Sequence, residues 1–160
     1  MSFDTVATSS ECDSYMNEAK NTAANGTTCP PLRIFLIEDS IDVRDLMMEN
    51  LAMIPGVVVV GVSESETDAW NQLNTLDIDI LIVDIQLKKG NGINLLRQIS
   101  GKQDYDPLKI ICSNNATEVF RRVGRQYGVH HFFDKTSEFP QLFELVKELG
   151  HTHIDCRSQG

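Results

Sequence analysis

The run Leu32-Arg33-Ile34-Phe35-Leu36-Ile37-Glu38-Asp39 decides the fold: a short apolar strand that ends on two carboxylates. Three more runs also end on a residue that chemistry can use, Leu81 to Val83 on Asp84, Leu108 to Cys112 on Ser113, and His131 to Asp134 on Lys135. In a parallel α/β sheet the carboxyl ends of the strands share one edge, so these residues, far apart in the chain, meet in one crevice. Three carboxylates, a hydroxyl and an ammonium in one place describe a site for a divalent metal and a phosphoryl group.

Outward from that run, short apolar segments alternate with amphipathic ones, the pattern of βαβ units. The reading places strands β1 to β5 at 32–37, 57–62, 79–84, 108–113 and 130–134, and helices α1 to α5 at 41–53, 65–76, 92–100, 116–127 and 138–149. Turn residues punctuate it: Pro55-Gly56, Gly90-Asn91-Gly92, Gly101, Asp106-Pro107 and Gly128. The expected fold is a five-stranded parallel sheet, doubly wound in flavodoxin-like (βα)5 order. Residues 1–31, closing with Cys29-Pro30-Pro31, read as a flexible N-terminal extension, residues 32–149 as the domain, and residues 150–160 as a C-terminal tail. A short helix near Glu11 to Ala24 has only Tyr15 and Met16 as large apolar residues, too few for a buried stripe. The tail is read as too short for an output domain, so the expected output is a partner surface.

With 160 residues and 41% hydrophobic content, the chain suffices for one core. A net charge of -9 argues against direct nucleic-acid binding, which relies on Lys and Arg replacing counterions. No apolar run approaches the roughly 20 residues of a membrane span, and no signal peptide is evident, so a cytoplasmic protein is expected. Cys12, Cys29, Cys112 and Cys156 form no CxxC pair, and Cys112 reads as a buried, inert thiol. His151, His153 and Cys156 could ligate a transition metal, but the tail offers no fixed scaffold for one.

The order of these strand-end residues resembles the receiver domain of two-component response regulators, the chemotaxis-type receiver fold, over roughly 32–149. The positions 39 and 84 lie 45 apart, 113 and 135 lie 22 apart, and Gly92 falls eight after Asp84, close to the family pattern. The resemblance implies that Asp84 accepts a phosphoryl group from a phosphohistidine. Glu38, Asp39, Asp84 and the main-chain carbonyl of Gln86 would hold Mg²⁺ or Mn²⁺, Lys135 and Ser113 would contact phosphoryl oxygens, and Phe132 would be the aromatic switch that turns inward. It implies a histidine kinase or histidine phosphotransfer protein as donor, a downstream effector protein as reader, and a homodimer through α4-β5-α5. The protein would be a single-domain signalling module rather than an enzyme acting on outside substrates.

Departures from the family pattern fall beside the site. Thr136 stands where a proline usually follows the lysine, so a cis peptide there is disfavoured. Lys88 and Lys89 add two cations, expected to favour an anionic partner or to stabilise the acyl phosphate. On α1, Val43, Leu46, Met47, Leu51 and Ile54 form the expected core stripe, leaving Ile41 and Met48, with Thr136 and Phe139, as a donor-docking patch. Arg121, Arg122 and Arg125 on α4 face Glu138, Glu144 and Glu148 on α5 in sign, which suits two-fold self-pairing.

Glu38-Asp39-Ser40-Ile41 puts acids where a dinucleotide or flavin phosphate would bind, which disfavours Rossmann and flavodoxin-type carriers. A haloacid dehalogenase-type phosphatase needs a second Asp where Gln86 stands. The remaining alternative is a pseudo-receiver, an interaction module with the same fold that is not phosphorylated.

Overall fold

The computed structural model describes residues 29–158, with side chains through Asp155. The expected N-terminal extension up to residue 28, its helix over 11–24, Cys12 and the side chain of Cys156 lie outside the described residues. The strands are β1 (Leu32–Ile37), β2 (Val57–Ser63), β3 (Ile80–Val83), β4 (Leu108–Ser113) and β5 (His131–Asp134). The helices, numbered in chain order, are α1 (Ile41–Ala52), α2 (Glu66–Leu73), α3 (Gly92–Ser100), α4 (Glu118–Gln126) and α5 (Phe139–Ser158).

All five strands are parallel, in the order β2-β1-β3-β4-β5. The doubly wound arrangement is therefore present. Strand order reverses between β1 and β3, so Glu38-Asp39 and Asp84 leave adjacent strands at the switch point, where α/β sheets bind ligands. The central strand β3 is covered on both faces, which explains why all four of its residues are apolar and buried. Ile34, Leu36, Ile80, Ile82, Ile110 and Cys112 pack towards α1 and α5. Phe35, Ile37, Leu81, Val83 and Ile111 pack towards α2, α3 and α4.

Four helices begin at this same edge on side-chain caps: Ser40 for α1, Ser65 for α2, Asn91 for α3 and Thr117 for α4. Each cap oxygen accepts from an otherwise unpaired amide of the first turn. In β1 and β2 the register shifts between Ile34 and Phe35, and Gly61 makes room for the Phe35 ring. A Cβ at Gly61 would stand 2.7 Å from that ring.

Two expectations need correction. Leu46 does not join the core stripe of α1: it is 45% exposed, whereas Met47, Leu51 and Ile54 are buried and Val43 is partly so. A helix lying on a flat sheet buries a narrow stripe, and Leu46 sits about 100° round from Met47. The second concerns the C-terminus, where α5 does not stop at residue 149 but continues to Ser158. The boundary between domain and tail therefore falls within a helix.

Packing explains the longer helix. Gly150 is buried against the α1–β2 turn, where its absent Cβ would stand 2.5 Å from the Pro55 carbonyl oxygen. Further on, His153 Nε2 lies 2.8 Å from the Pro30 carbonyl oxygen, and Cys29 Sγ donates to the His153 carbonyl oxygen at 3.8 Å. His151 pairs with Asp155 at 3.2 Å along the helix, so the tail histidines have protein partners. Gly150→Ala should destabilise the protein by about 1–3 kcal/mol, measured by urea unfolding, through overpacking at this crossing. The exposed Glu148→Ala should change stability by less than about 0.5 kcal/mol.

Candidate functional site

Four of the strand-end residues converge: Glu38, Asp39, Asp84 and Lys135. Glu38, Asp39 and Asp84 each offer a carboxylate oxygen within 4.8 Å of the others. Lys135 reaches across from β5, its Nζ 2.6 Å from Asp84 Oδ2 and 2.5 Å from Glu38 Oε1. These are charge-assisted contacts to two buried carboxylates: Glu38 is 1% exposed and Asp84 6%. The other Glu38 oxygen accepts from the Ser40 amide at 3.0 Å, at the entry to α1. The second Asp84 oxygen accepts from the Gln86 amide at 3.3 Å, which sets Gln86 beside the acceptor position.

Burial shifts both partners in this pair. It pushes the Glu38 carboxyl above its ordinary value, against the opposing bonds from Lys135 and Ser40. At Lys135 burial disfavours the charge, yet the bonds to Asp84 and Glu38 outweigh it and raise the ammonium. Counted formally, three carboxylates and one ammonium carry a charge of -2 at the edge of the sheet. Hard oxygen donors with that residual charge fit Mg²⁺ or Mn²⁺, and the three carboxylates are the side chains that could hold it.

Ser113 is buried at the end of β4, its hydroxyl accepting from the Asn115 amide at 3.1 Å, and its carbonyl accepts from the Lys135 amide at 3.4 Å. The β5–α5 loop takes its shape from Asp134 in place of the missing proline. Its Oδ1 accepts from the Thr136 hydroxyl and amide, at 2.5 and 2.8 Å, and from the Ser137 amide at 3.3 Å. Those bonds, the Thr136 hydroxyl first, hold the Asp134 carboxyl below its ordinary value. No cis peptide occurs among the described residues.

Lys88 and Lys89 are both exposed. It is the main-chain amide of Lys88, not its charge, that meets the acid cluster, donating to Asp39 Oδ2 at 2.7 Å. Ile41 and Met48 are exposed on α1, as the docking-patch reading requires. The charges on α4, on α5 and at Glu138 just before α5 are partly spent within the chain: Arg121 lies 4.0 Å from Glu138, Arg125 pairs with Glu118 and Lys147 with Glu144. Less charge remains for two-fold pairing than the sequence suggests.

Sequence reasoning missed what surrounds Phe132. The ring is 8% exposed and packs beneath Gly124, where a Cβ would stand 2.8 Å from it. The guanidinium carbons of Arg121 and Arg125 lie 5.5 and 5.9 Å from its centroid, in cation–π range. The available signal was a glycine inside a charged helix, which marks a close approach.

Comparison with known proteins agrees with this geometry. Residues 34–147 match the response regulator receiver domain family, and the chain belongs to it. It is 31% identical over 135 residues to a protein-glutamate methylesterase/protein-glutamine glutaminase of Rhodopseudomonas palustris, a match covering 81% of this chain and 34% of the relative. To the regulatory protein VirG of Agrobacterium tumefaciens it is 27% identical, over 74% of this chain and 43% of that protein. The chain thus spans less than half the length of these curated relatives. Among solved structures, the response regulator domain of Thermotoga maritima CheB superposes with a TM-score of 0.67 at 21% identity, covering 78% of this chain and 97% of that one. Such domains belong to two-component signalling. Among the described residues, no helix is long and apolar enough to cross a membrane.

Cys112 lies behind this site on β4, and burial pushes its thiol up to about 12. Iodoacetamide at about pH 8 should therefore leave Cys112 unmodified in the native protein and alkylate it in denaturant, because the thiolate is the reactive form. Mass spectrometry of the tryptic peptide carrying Cys112 reads the difference.

Proposed function

We propose that the chain is a phosphoacceptor receiver, taking a phosphoryl group from a phosphohistidine onto Asp84. The observation that carries this reading is the Lys135 ammonium bridging Asp84 and Glu38 with Asp39 alongside. In this reading Glu38, Asp39, Asp84 and the Gln86 carbonyl hold Mg²⁺ or Mn²⁺, which neutralises the acids and lets an anionic phosphoryl group approach a carboxylate. Asp84 Oδ attacks phosphorus, the P–N bond to the donor imidazole breaks, and an acyl phosphate forms. Lys135 then exchanges its bond to Asp84 for one to a phosphoryl oxygen. Ser113 donates its hydroxyl to another, and Phe132 adjusts beneath α4 as β4 shifts.

The donor is a histidine kinase or a phosphotransfer protein, and it docks over Ile41, Met48, Thr136 and Phe139. The reader is an effector protein, and the α4-β5-α5 face is the candidate dimer surface. In this reading the domain works in the cytoplasm. The contrasting reading, a pseudo-receiver that is never phosphorylated, would leave the buried Lys135 bridge without a chemical role.

Acetyl phosphate with Mg²⁺ should add about 80 Da, the mass of one phosphoryl group, to the intact protein. Asp84→Asn and removal of the metal with EDTA should each abolish the adduct. Absence of the adduct from the wild-type chain would favour the pseudo-receiver. Lys135→Ala should leave a buried acid pair uncompensated and lower the yield of adduct by at least about tenfold, in line with loss of a charge clamp on a phosphoryl group.

A further inference from the structure

The loop from Asp84 to Asn91 supplies the acceptor and the Gln86 carbonyl, and a residue outside the acid cluster holds it. Glu66, the first residue of α2, has both carboxylate oxygens engaged. Its Oε2 accepts from the Asn91 amide at 2.8 Å, and its Oε1 accepts from the Gln98 side-chain amide on α3 at 3.1 Å. Its own amide donates to the Lys89 carbonyl oxygen at 3.1 Å, and Ser65 forms a parallel bridge with Lys89. Gly90, with φ +95°, lies directly against it; a Cβ there would stand 2.3 Å from Glu66 Cβ.

The loop is also closed upon itself. Gln86 and Asn91 form an antiparallel bridge, and the Gly92 amide donates to the Ile85 carbonyl oxygen at 2.8 Å. At its other side the Lys88 amide donates to Asp39 Oδ2 at 2.7 Å. The segment is thus clamped at two carboxylates: Asp39, within the site, and Glu66, beyond it. Glu66 acts on Asn91, and Asn91 is the bridge partner of Gln86.

Loops are ordinarily the mobile part of a domain, while a metal site needs its oxygen ligands held to within about 0.5 Å. Hydrogen bonds from neutral N–H groups to a carboxylate are roughly twice as strong as neutral pairs. A carboxylate in the first turn of a helix is favoured as well by the helix dipole. We propose that Glu66 is a positioning residue for the phosphoryl and metal site, clamping the β3–α3 loop to α2 so that Asp84 and the Gln86 carbonyl are preset for a divalent cation. The clamp rests on the receiver reading above, and Glu66 itself touches neither cation nor phosphoryl group.

The test compares the full wild-type chain with Glu66→Ala and Glu66→Gln in three measurements: amide hydrogen exchange without metal, Mg²⁺ titration by calorimetry, and adduct formation from acetyl phosphate. In Glu66→Ala, exchange at the amides of 88–91 should rise at least about tenfold, while core strand amides stay protected. Its Mg²⁺ dissociation constant should rise about tenfold, as loss of a ligand-orienting partner does. Adduct formation should slow at low Mg²⁺ and recover at saturating Mg²⁺. Glu66→Gln keeps one acceptor oxygen and should fall between, and it carries the test if the alanine variant does not fold. Wild-type Mg²⁺ affinity and loop exchange in the variants, alongside a wild-type adduct, overturn the clamp alone. A wild-type chain that neither binds Mg²⁺ nor forms the adduct overturns the receiver reading and the clamp with it.

Discussion

The ammonium of Lys135, placed between Glu38 and Asp84, is the constraint around which the edge of the sheet is organised. Parallel winding delivers three carboxylates to one place, and two of them are buried there. Burying unpaired charge costs several kcal/mol for each ion, and like charges in contact add repulsion. A single cation from the fifth strand offsets part of that cost. It also fixes the spacing of β1, β3 and β5 at their carboxyl ends, although these strands are not mutual neighbours throughout the sheet. The two negative charges left over are the electrostatic reason that a hard divalent cation suits the crevice.

The loops that frame the crevice are held by carboxylates acting on amides as well as by apolar packing, with Ile85 buried in the core and Leu87 packed against it. Asp134 shapes the turn after β5, Asp39 holds Lys88, and Glu66 holds Asn91. Such bonds define the shape of the loop's exposed part, where apolar side chains do not reach. The surfaces behind the crevice are different in kind. Phe132 is seated under Gly124 with two guanidinium groups beside its ring, so any movement of β4 and β5 has to be accommodated by α4.

Membership of the receiver family is shared with proteins whose matched region is only a part of their length. The relation extends to the domain, over residues 34–147. It does not extend to the methylesterase or regulatory activities in the names of those relatives, since a fold does not carry function by itself.

The parallel sheet, the two-sided core and the meeting of Glu38, Asp39, Asp84 and Lys135 were legible in the sequence. Alternating apolar runs dictate a parallel sheet, and parallel strands must end at one edge, so residues far apart in number become neighbours by topology alone. Tertiary structure decided whatever depends on contacts between elements. Leu46 turned outward because the sheet accepts only a narrow helical stripe, and α5 continued past residue 149 because Gly150 allows it to cross the α1–β2 turn. Arg121 and Arg125 found partners inside the chain, and Glu66 met a loop 25 residues further on, at Asn91. Periodicity reports which face of an element is buried. It carries no information about which side chain of another element waits there, because that depends on distances set only when the layers pack.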